Sequence, residues 1–149
     1  HHAQREIIEH AAAVVIIPFD GTSVYLVRQY RKAINRFLIE VPAGGIDPEE
    51  KAENAALREL KEETGYTAED LQQIAFFWTT PGFCTEGMYV FVAKSLSAGL
   101  PDSDEDENID VVEVSLSDIP AMIESGDIQD AKTIVSLMLV LDGVKTGRW

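Results

Sequence analysis

Three glutamates, Glu59, Glu62 and Glu63, crowd into the stretch RELKEETGY. Clustered carboxylate oxygens are hard ligands. They suit Mg²⁺, which takes one or two carboxylates together with substrate phosphates rather than an all-protein cage. The surrounding segment, Gly44 to Tyr66, reads GGIDPEEKAENAALRELKEETGY and has the punctuation of a helix. Asp47 is the expected N-cap and Pro48 the first helical residue, and Glu50 completes an Asp-x-x-Glu capping box. Gly65 ends the helix as its C′ residue. At ~100° per residue the three glutamates span an arc of roughly 100°, so they leave one face at the helix's C-terminal end. The helix dipole disfavours anions there by a few tenths to ~1 kcal/mol each, and like charges at i, i+3 and i+4 add repulsion. Arg58 and Lys61 offset part of this. The residues alone leave two readings open: a solvated acidic face, or a cluster that binds a cation.

Composition narrows the choice of partner. The chain has 149 residues, of which 46% are hydrophobic, enough for one globular unit with a real core. We expect one domain over residues 3–149, with His1 and His2 as the remnant of a purification tag. A formal charge of −14 argues against nucleic acid or an anionic membrane surface as the main partner. It also means that an anionic substrate needs bridging cations. The single cysteine, Cys84, forms no internal disulfide, so the expected compartment is a reducing cytoplasm. The longest apolar run, Ala11 to Ile17, is far short of the ~20 residues that cross a bilayer.

The elements that must carry these residues read as strands, helix, strands, helices, an α+β or mixed α/β arrangement. Ala11–Phe19 and Val24–Tyr30 are strand-like, and Asp20-Gly21 between them predicts an antiparallel hairpin. Arg28, Arg31, Lys32 and Arg36 form the one basic cluster, either surface cations or phosphate receivers, and Arg28 is the member expected to face a cleft. Phe37–Val41 is a short strand closed by Pro42 and the Gly44-Gly45 pair, which serves a plain turn as readily as a ligand. Leu71–Thr79 and Met88–Lys94 are two further strands, whose aromatics Phe76, Phe77, Trp78, Tyr89 and Phe91 are expected in the core, with Phe83 in the connecting loop. Leu100–Asn108 (LPDSDEDEN) is an acidic loop that is either solvated or able to deliver a carboxylate. Ile109–Val114 is a strand, Ser117–Glu124 a short helix, and Asp130–Leu141 a longer helix apolar almost all round, hence buried or at a subunit contact.

The opening stretch resembles the Nudix box, Gly-x5-Glu-x7-Arg-Glu-U-x-Glu-Glu-x-Gly-U, with U a bulky aliphatic. Gly44, Glu50, Arg58, Glu59, Leu60, Glu62, Glu63 and Gly65 match it, and only Tyr66 departs, an aromatic in place of an aliphatic. The resemblance implies a Nudix α/β/α sandwich with a mixed β-sheet between helices. It also implies an enzyme that hydrolyses a nucleoside diphosphate linked to another group, usually with Mg²⁺, Mn²⁺ being an alternative. Carried over by position, Glu59 and Glu63 would be the principal metal ligands, with Glu62 in the same cluster and the Ala43 carbonyl adding a backbone oxygen. Arg58 would orient the glutamates, and Gly44 and Glu50 would support the box.

Outside the box, four stretches look like the ADP-ribose pyrophosphatase branch. They are VRQYR (Val27 to Arg31), EVPAG (Glu40 to Gly44), Pro81-Gly82-Phe83 through Glu86, and Gly126-Asp127-Ile128 followed by DAKT (Asp130 to Thr133). Pro81 stands 16 residues after Gly65, a spacing associated with ADP-ribose, while Cys84-Thr85 replaces a frequent Ser-Asp. The implied reaction yields AMP and ribose 5-phosphate. The acidic loop is expected to supply Glu105 as general base and Glu107 as a further metal contact. Arg28 would meet a phosphate, and Pro81, Gly82, Phe83 and Glu86 would line the substrate. The resemblance further implies a homodimer. Two rivals stay open, a hydrolase of other nucleoside diphosphate sugars such as GDP-mannose, and a Nudix-like module that binds nucleotide without cleaving it.

Overall fold

The computed structural model describes residues 3–99 and 109–149. His1, His2 and the acidic segment 100–108, with Glu105 and Glu107, lie outside the described residues.

The first strand explains the layering. β1 (Ala13–Pro18) is buried at every position, so it needs apolar cover on both faces. It obtains this inside a mixed sheet of order β4-β1-β6-β5, parallel to β6 (Gly87–Ser97) and antiparallel to β4 (Ala43–Gly45). β5 (Thr67–Trp78) runs antiparallel to β6 at the sheet edge, with a bulge between Gln73 and Ala75. Val14 and Ile16 pack with Ala55, Ala56 and Leu60 of helix α1 (Ala52–Thr64), together with Phe91. Ala13, Val15 and Ile17 face the other way. There they meet an antiparallel sheet of order β3-β2-β7, formed by β3 (Arg36–Glu40), β2 (Ser23–Arg31) and β7 (Asp110–Ser115). Ile119 of α2 (Ile119–Ser125) and Leu137 and Val140 of α3 (Ala131–Lys145) close that core.

The expected β1–β2 hairpin does not form. Asp20-Gly21 makes a real turn, in which Asp20 Oδ1 accepts from the Thr22 and Ser23 amides, each at 2.8 Å. Only one antiparallel bridge, Phe19 to Val24, follows before the strands part into different sheets. β1 is apolar on both faces and belongs inside the four-stranded sheet, whereas β2 exposes part of one face towards its C-terminal end.

The helix start also differs from expectation. Glu49 has φ 67, outside any helical path, so Asp47–Glu50 is a turn and α1 begins after Lys51. Half of the expected capping box survives, since the Asp47 amide donates to Glu50 Oε2 at 3.1 Å. Gly65 closes the helix as expected, with φ 74 and its amide bonded to the Lys61 carbonyl.

Two aromatics leave the expected core. Phe91 is buried, but Phe76 and Trp78 are exposed on the edge strand β5, where they meet edge-on at 5.2 Å. Gly87, paired with Trp78, leaves room for them, because a Cβ there would lie 2.5 Å from Phe76. Among the described residues no helix is long and apolar enough to cross a membrane.

Candidate active site

The C-terminal half of α1 presents its carboxylates to β4. Glu63, only 7% exposed, accepts a hydrogen bond from the Ala43 amide at 3.2 Å. Glu59 lies against Gly44 so closely that a Cβ at that position would come within 2.0 Å of its carboxyl carbon. The glycine is therefore needed for close approach of side chain to strand, not for an unusual backbone angle. Both principal carboxylates of the box thus converge on Ala43 and Gly44, a short strand that the Gly pair had disguised as a turn.

Arg58 holds the other side of the cluster. It donates to Glu50 (Nε 3.2 Å, Nη2 3.0 Å), to Glu59 (Nη1 2.6 Å), to Glu62 (Nη1 3.1 Å) and to the Gly45 carbonyl (Nη2 3.0 Å). The hydrogen bonds it donates to Glu50 above all, against the opposing effect of burial, drive the guanidinium's pKa up. Glu50 is held below the usual carboxylate range, first by Arg58 and then by the Asp47 amide. This pairing also accounts for the displaced helix start, because Glu50 reaches sideways to Arg58 as well as back to Asp47.

The donor set suits a hard divalent cation, being carboxylate oxygens anchored to backbone on one side and to a guanidinium on the other. Among the described residues no three acidic, histidine or cysteine side chains close around one point.

A cavity of about 720 Å³ opens beside β4, lined by Gly44 and Gly45 on one side and by Arg31, Glu40, Asp130 and Lys132 on another. Glu40 is 0% exposed. It accepts two bonds from Arg31, Nε at 2.8 Å and Nη2 at 2.7 Å, and a third from Lys132 Nζ, which also lies 3.0 Å from Asp130. Burial would push the Glu40 carboxyl up, but the Arg31 hydrogen bonds and the Lys132 charge outweigh it and the net shift is downward. Asp130 caps α3 by accepting from the Thr133 amide at 2.9 Å, and Thr133 in turn accepts from the Val41 amide at 2.9 Å. The start of α3 is thereby pinned to the β3–β4 link.

Three of the four branch stretches, VRQYR, EVPAG and DAKT, therefore meet through Arg31, Glu40, Asp130 and Lys132. The fourth contributes Glu86, which lines the cavity 3.5 Å from His10 Nδ1. Residues 80–86 are strapped to the N-terminal segment. Ile8 donates to the Phe83 carbonyl at 2.7 Å, and Thr85 Oγ1 accepts from the His10 amide at 2.8 Å. Thr85, which replaces the branch's usual Asp, is thus a full hydrogen-bonding partner.

Other expected residues lie elsewhere. Pro81, Gly82 and Phe83 do not line the cavity, although Thr80 and Glu86 on either side do. Arg28 projects into a separate hollow with Arg36, over the Phe37 ring at 4.0 Å and 3.5 Å from Asp110. In β2 it is offset by three from Arg31, which puts the two on opposite faces of the strand. Arg31 is the guanidinium that reaches the cavity. A signal for the Glu40 cluster was available: Lys132 sits in the first turn of α3, where the dipole disfavours a cation, as the glutamates sit where it disfavours anions.

The NUDIX domain family model matches residues 9–137. The chain is 42% identical over 138 residues to an ADP-ribose pyrophosphatase of Bacillus subtilis strain 168, covering 91% of this chain and 75% of that one. It is 34% identical over 145 residues to a GDP-mannose pyrophosphatase of Salmonella typhimurium strain LT2, covering 90% and 75%. A solved structure titled "Crystal structure of ADP compounds hydrolase" superposes with a TM-score of 0.84 at 30% identity, covering 91% of this chain and 74% of that one. Family match, relatives and fold agree with the box geometry around Arg58: the chain belongs to the Nudix hydrolase family.

Proposed function

We propose that the protein hydrolyses the pyrophosphate of ADP-ribose, giving AMP and ribose 5-phosphate, with Mg²⁺ as cofactor and Mn²⁺ able to replace it. The observation that carries this reading is the flanking of β4 by two charged groups of opposite purpose. Carboxylates fit to hold a cation approach Ala43 and Gly44 from α1, and the Arg31 guanidinium enters the cavity that these residues line. A pyrophosphate needs both, a cation bridging its oxygens and a fork of N–H donors.

Glu59, Glu63 and Glu62 would hold the cation, with the Ala43 carbonyl and Glu107 as further oxygen donors. A divalent cation held there would supply charge stabilisation for the displacement and a more acidic water. Arg58 orients the glutamates, and Glu50 and Gly44 keep that arrangement open. Glu105 accepts the proton of the attacking water. Arg31 receives a phosphate within one protomer, and Glu86 contacts the ribose end with Pro81, Gly82 and Phe83 shaping its loop. Arg28 faces away from this cavity and serves a phosphate only across a homodimer. Such a dimer is consistent with the exposed apolar residues Val135 and Met138 on α3 and Ile7 and Ile8 near the N-terminus. The free Cys84 is consistent with a cytoplasmic enzyme. Residues 3–149 act as one Nudix domain.

The test is to incubate the protein with ADP-ribose, GDP-mannose and diadenosine polyphosphates, with and without Mg²⁺, and to identify the products. Release of AMP from ADP-ribose well ahead of the other reactions is expected. Faster cleavage of GDP-mannose, the activity named for the Salmonella relative, would replace the substrate assignment. Metal-dependent binding without turnover would replace the enzyme with a binding module.

A further inference from the structure

The arrangement around Glu40 exceeds what folding requires. A buried ion pair is weak evidence of a stability role, because apolar residues of similar volume often serve the core as well or better. Glu40 is completely buried, yet the Arg31 side chain that it holds remains 42% exposed and lines the cavity beside β4. The carboxylate takes Nε and Nη2, one edge of the guanidinium plane. The opposite edge, Nη1 with the second Nη2 hydrogen, is a fork spaced for two oxygens of one phosphoryl group. Lys132, with its side chain only 10% exposed, is fixed between Glu40 and Asp130 at the first turn of α3, where it would otherwise be disfavoured. One buried carboxylate therefore sets the direction of two cations on the cavity wall.

We infer that Glu40 is a positioning residue for substrate: it clamps Arg31 by one edge so that the other edge meets the diphosphate of the bound nucleoside diphosphate. A guanidinium held in this way loses little side-chain freedom when ligand arrives, so the gain lies in binding rather than in the chemical step. The inference deepens the proposed function, and rests on it only in taking the ligand to be a nucleoside diphosphate.

The test uses α,β-methylene ADP, which cannot be cleaved at the bridge, titrated calorimetrically in the presence of Mg²⁺. Steady-state kinetics on ADP-ribose accompany it. Glu40→Gln is expected to weaken binding and raise KM by ~10-fold or more, with kcat held within ~3-fold, the pattern for loss of uniform binding. Mn²⁺ affinity, read by electron paramagnetic resonance, stays unchanged. In an Arg31→Gln background the same substitution adds no further loss beyond ~2-fold, because residues that act through one another are not additive. A folded Glu40→Gln protein with wild-type affinity, or losses that multiply across the two positions, would overturn the inference. Should Glu40→Gln fail to fold, Arg31→Lys keeps the charge without the fork, and is expected to lose ~10-fold in affinity. Wild-type affinity in that variant would equally overturn it. If ADP-ribose is not hydrolysed but the Glu40–Arg31 coupling appears with α,β-methylene ADP, the substrate assignment fails and the positioning role stands.

Discussion

Two charged clusters flank β4, and they are built on opposite principles. At the end of α1 one arginine, Arg58, is shared among Glu50, Glu59 and Glu62, and Glu63 approaches from the next turn. On the cavity wall Arg31 and Lys132 are matched by Glu40 and Asp130, two cations to two carboxylates, with Glu40 fully buried. The first cluster is rich in anion and partly open, since the Glu62 side chain is 40% exposed. The second is balanced and closed around Glu40, with Arg31 still reaching the cavity. Carboxylates gathered on one helix face beside a strand's backbone are suited to hold a hard cation. In the second, the buried Glu40 holds Arg31 and Lys132 in one orientation on the cavity wall. The two should therefore respond differently to mutation, the first in turnover and the second in binding and stability.

The largest effect is expected at the open cluster. Glu59→Gln and Glu63→Gln should each lower turnover by at least ~100-fold, within the range for lost electrostatic or metal catalysis. Near-normal kcat in both variants would remove them from the metal site. Gly44→Ala is the sharper probe of the same region. The added Cβ meets the flexible end of Glu59 rather than backbone, so the side chain can swing away at little cost in stability. Turnover should fall ~10-fold or more while Tm stays within a few degrees, because only the catalytic geometry is disturbed. A large loss of Tm with normal turnover in the remaining folded protein would mean that Glu59 has a packing role instead.

At the closed cluster, Glu40→Leu should leave Arg31 and Lys132 without their buried counter-charge and cost ~3–5 kcal/mol in chemical denaturation. Glu62→Gln, on an exposed pair, should cost no more than ~1 kcal/mol. Equal costs would erase the distinction between the clusters. The smallest effect is one of pH. The Glu40 carboxyl is lowered from its ordinary 4.5 in the folded protein, so it binds its proton less readily when folded than when unfolded. Its contribution to stability is complete above the unfolded value and is lost as pH falls through the folded one. The stability gap between wild type and Glu40→Gln should therefore be constant near neutrality and narrow below about pH 4.5 in denaturant titrations. A gap that widened on acidification would contradict the downward shift.

The open cluster was legible in the sequence because its signal is local. Regular spacing along one helix, with charge where the dipole disfavours it, brings Glu59, Glu62 and Glu63 to one face without knowledge of the tertiary fold. The helix start was misread for a tertiary reason: Glu50 bonds to Arg58, and a left-handed Glu49 delays α1 to Ala52. β4 was hidden because Ala43-Gly44-Gly45 has low strand propensity and is a strand only by pairing with Val15, Val14 and Ala13. The hairpin failed on the same point, because Asp20-Gly21 specifies a turn but not which sheet each strand joins. The closed cluster draws on residues about 90 positions apart in sequence, Glu40 and Lys132, so the cation in the first turn of α3 signals an anionic partner without saying which one. Arg28 was favoured over Arg31 from the apolar run before it, but strand alternation sends the two to opposite faces.

The most direct measurement is the initial rate of AMP release from ADP-ribose as Mg²⁺ is titrated into EDTA-treated protein. The account expects no release in EDTA and a rate that rises and saturates with Mg²⁺, abolished to background in Glu59→Gln. An equal rate in EDTA, or saturable Mg²⁺-dependent binding of ADP-ribose with no AMP formed, would contradict it.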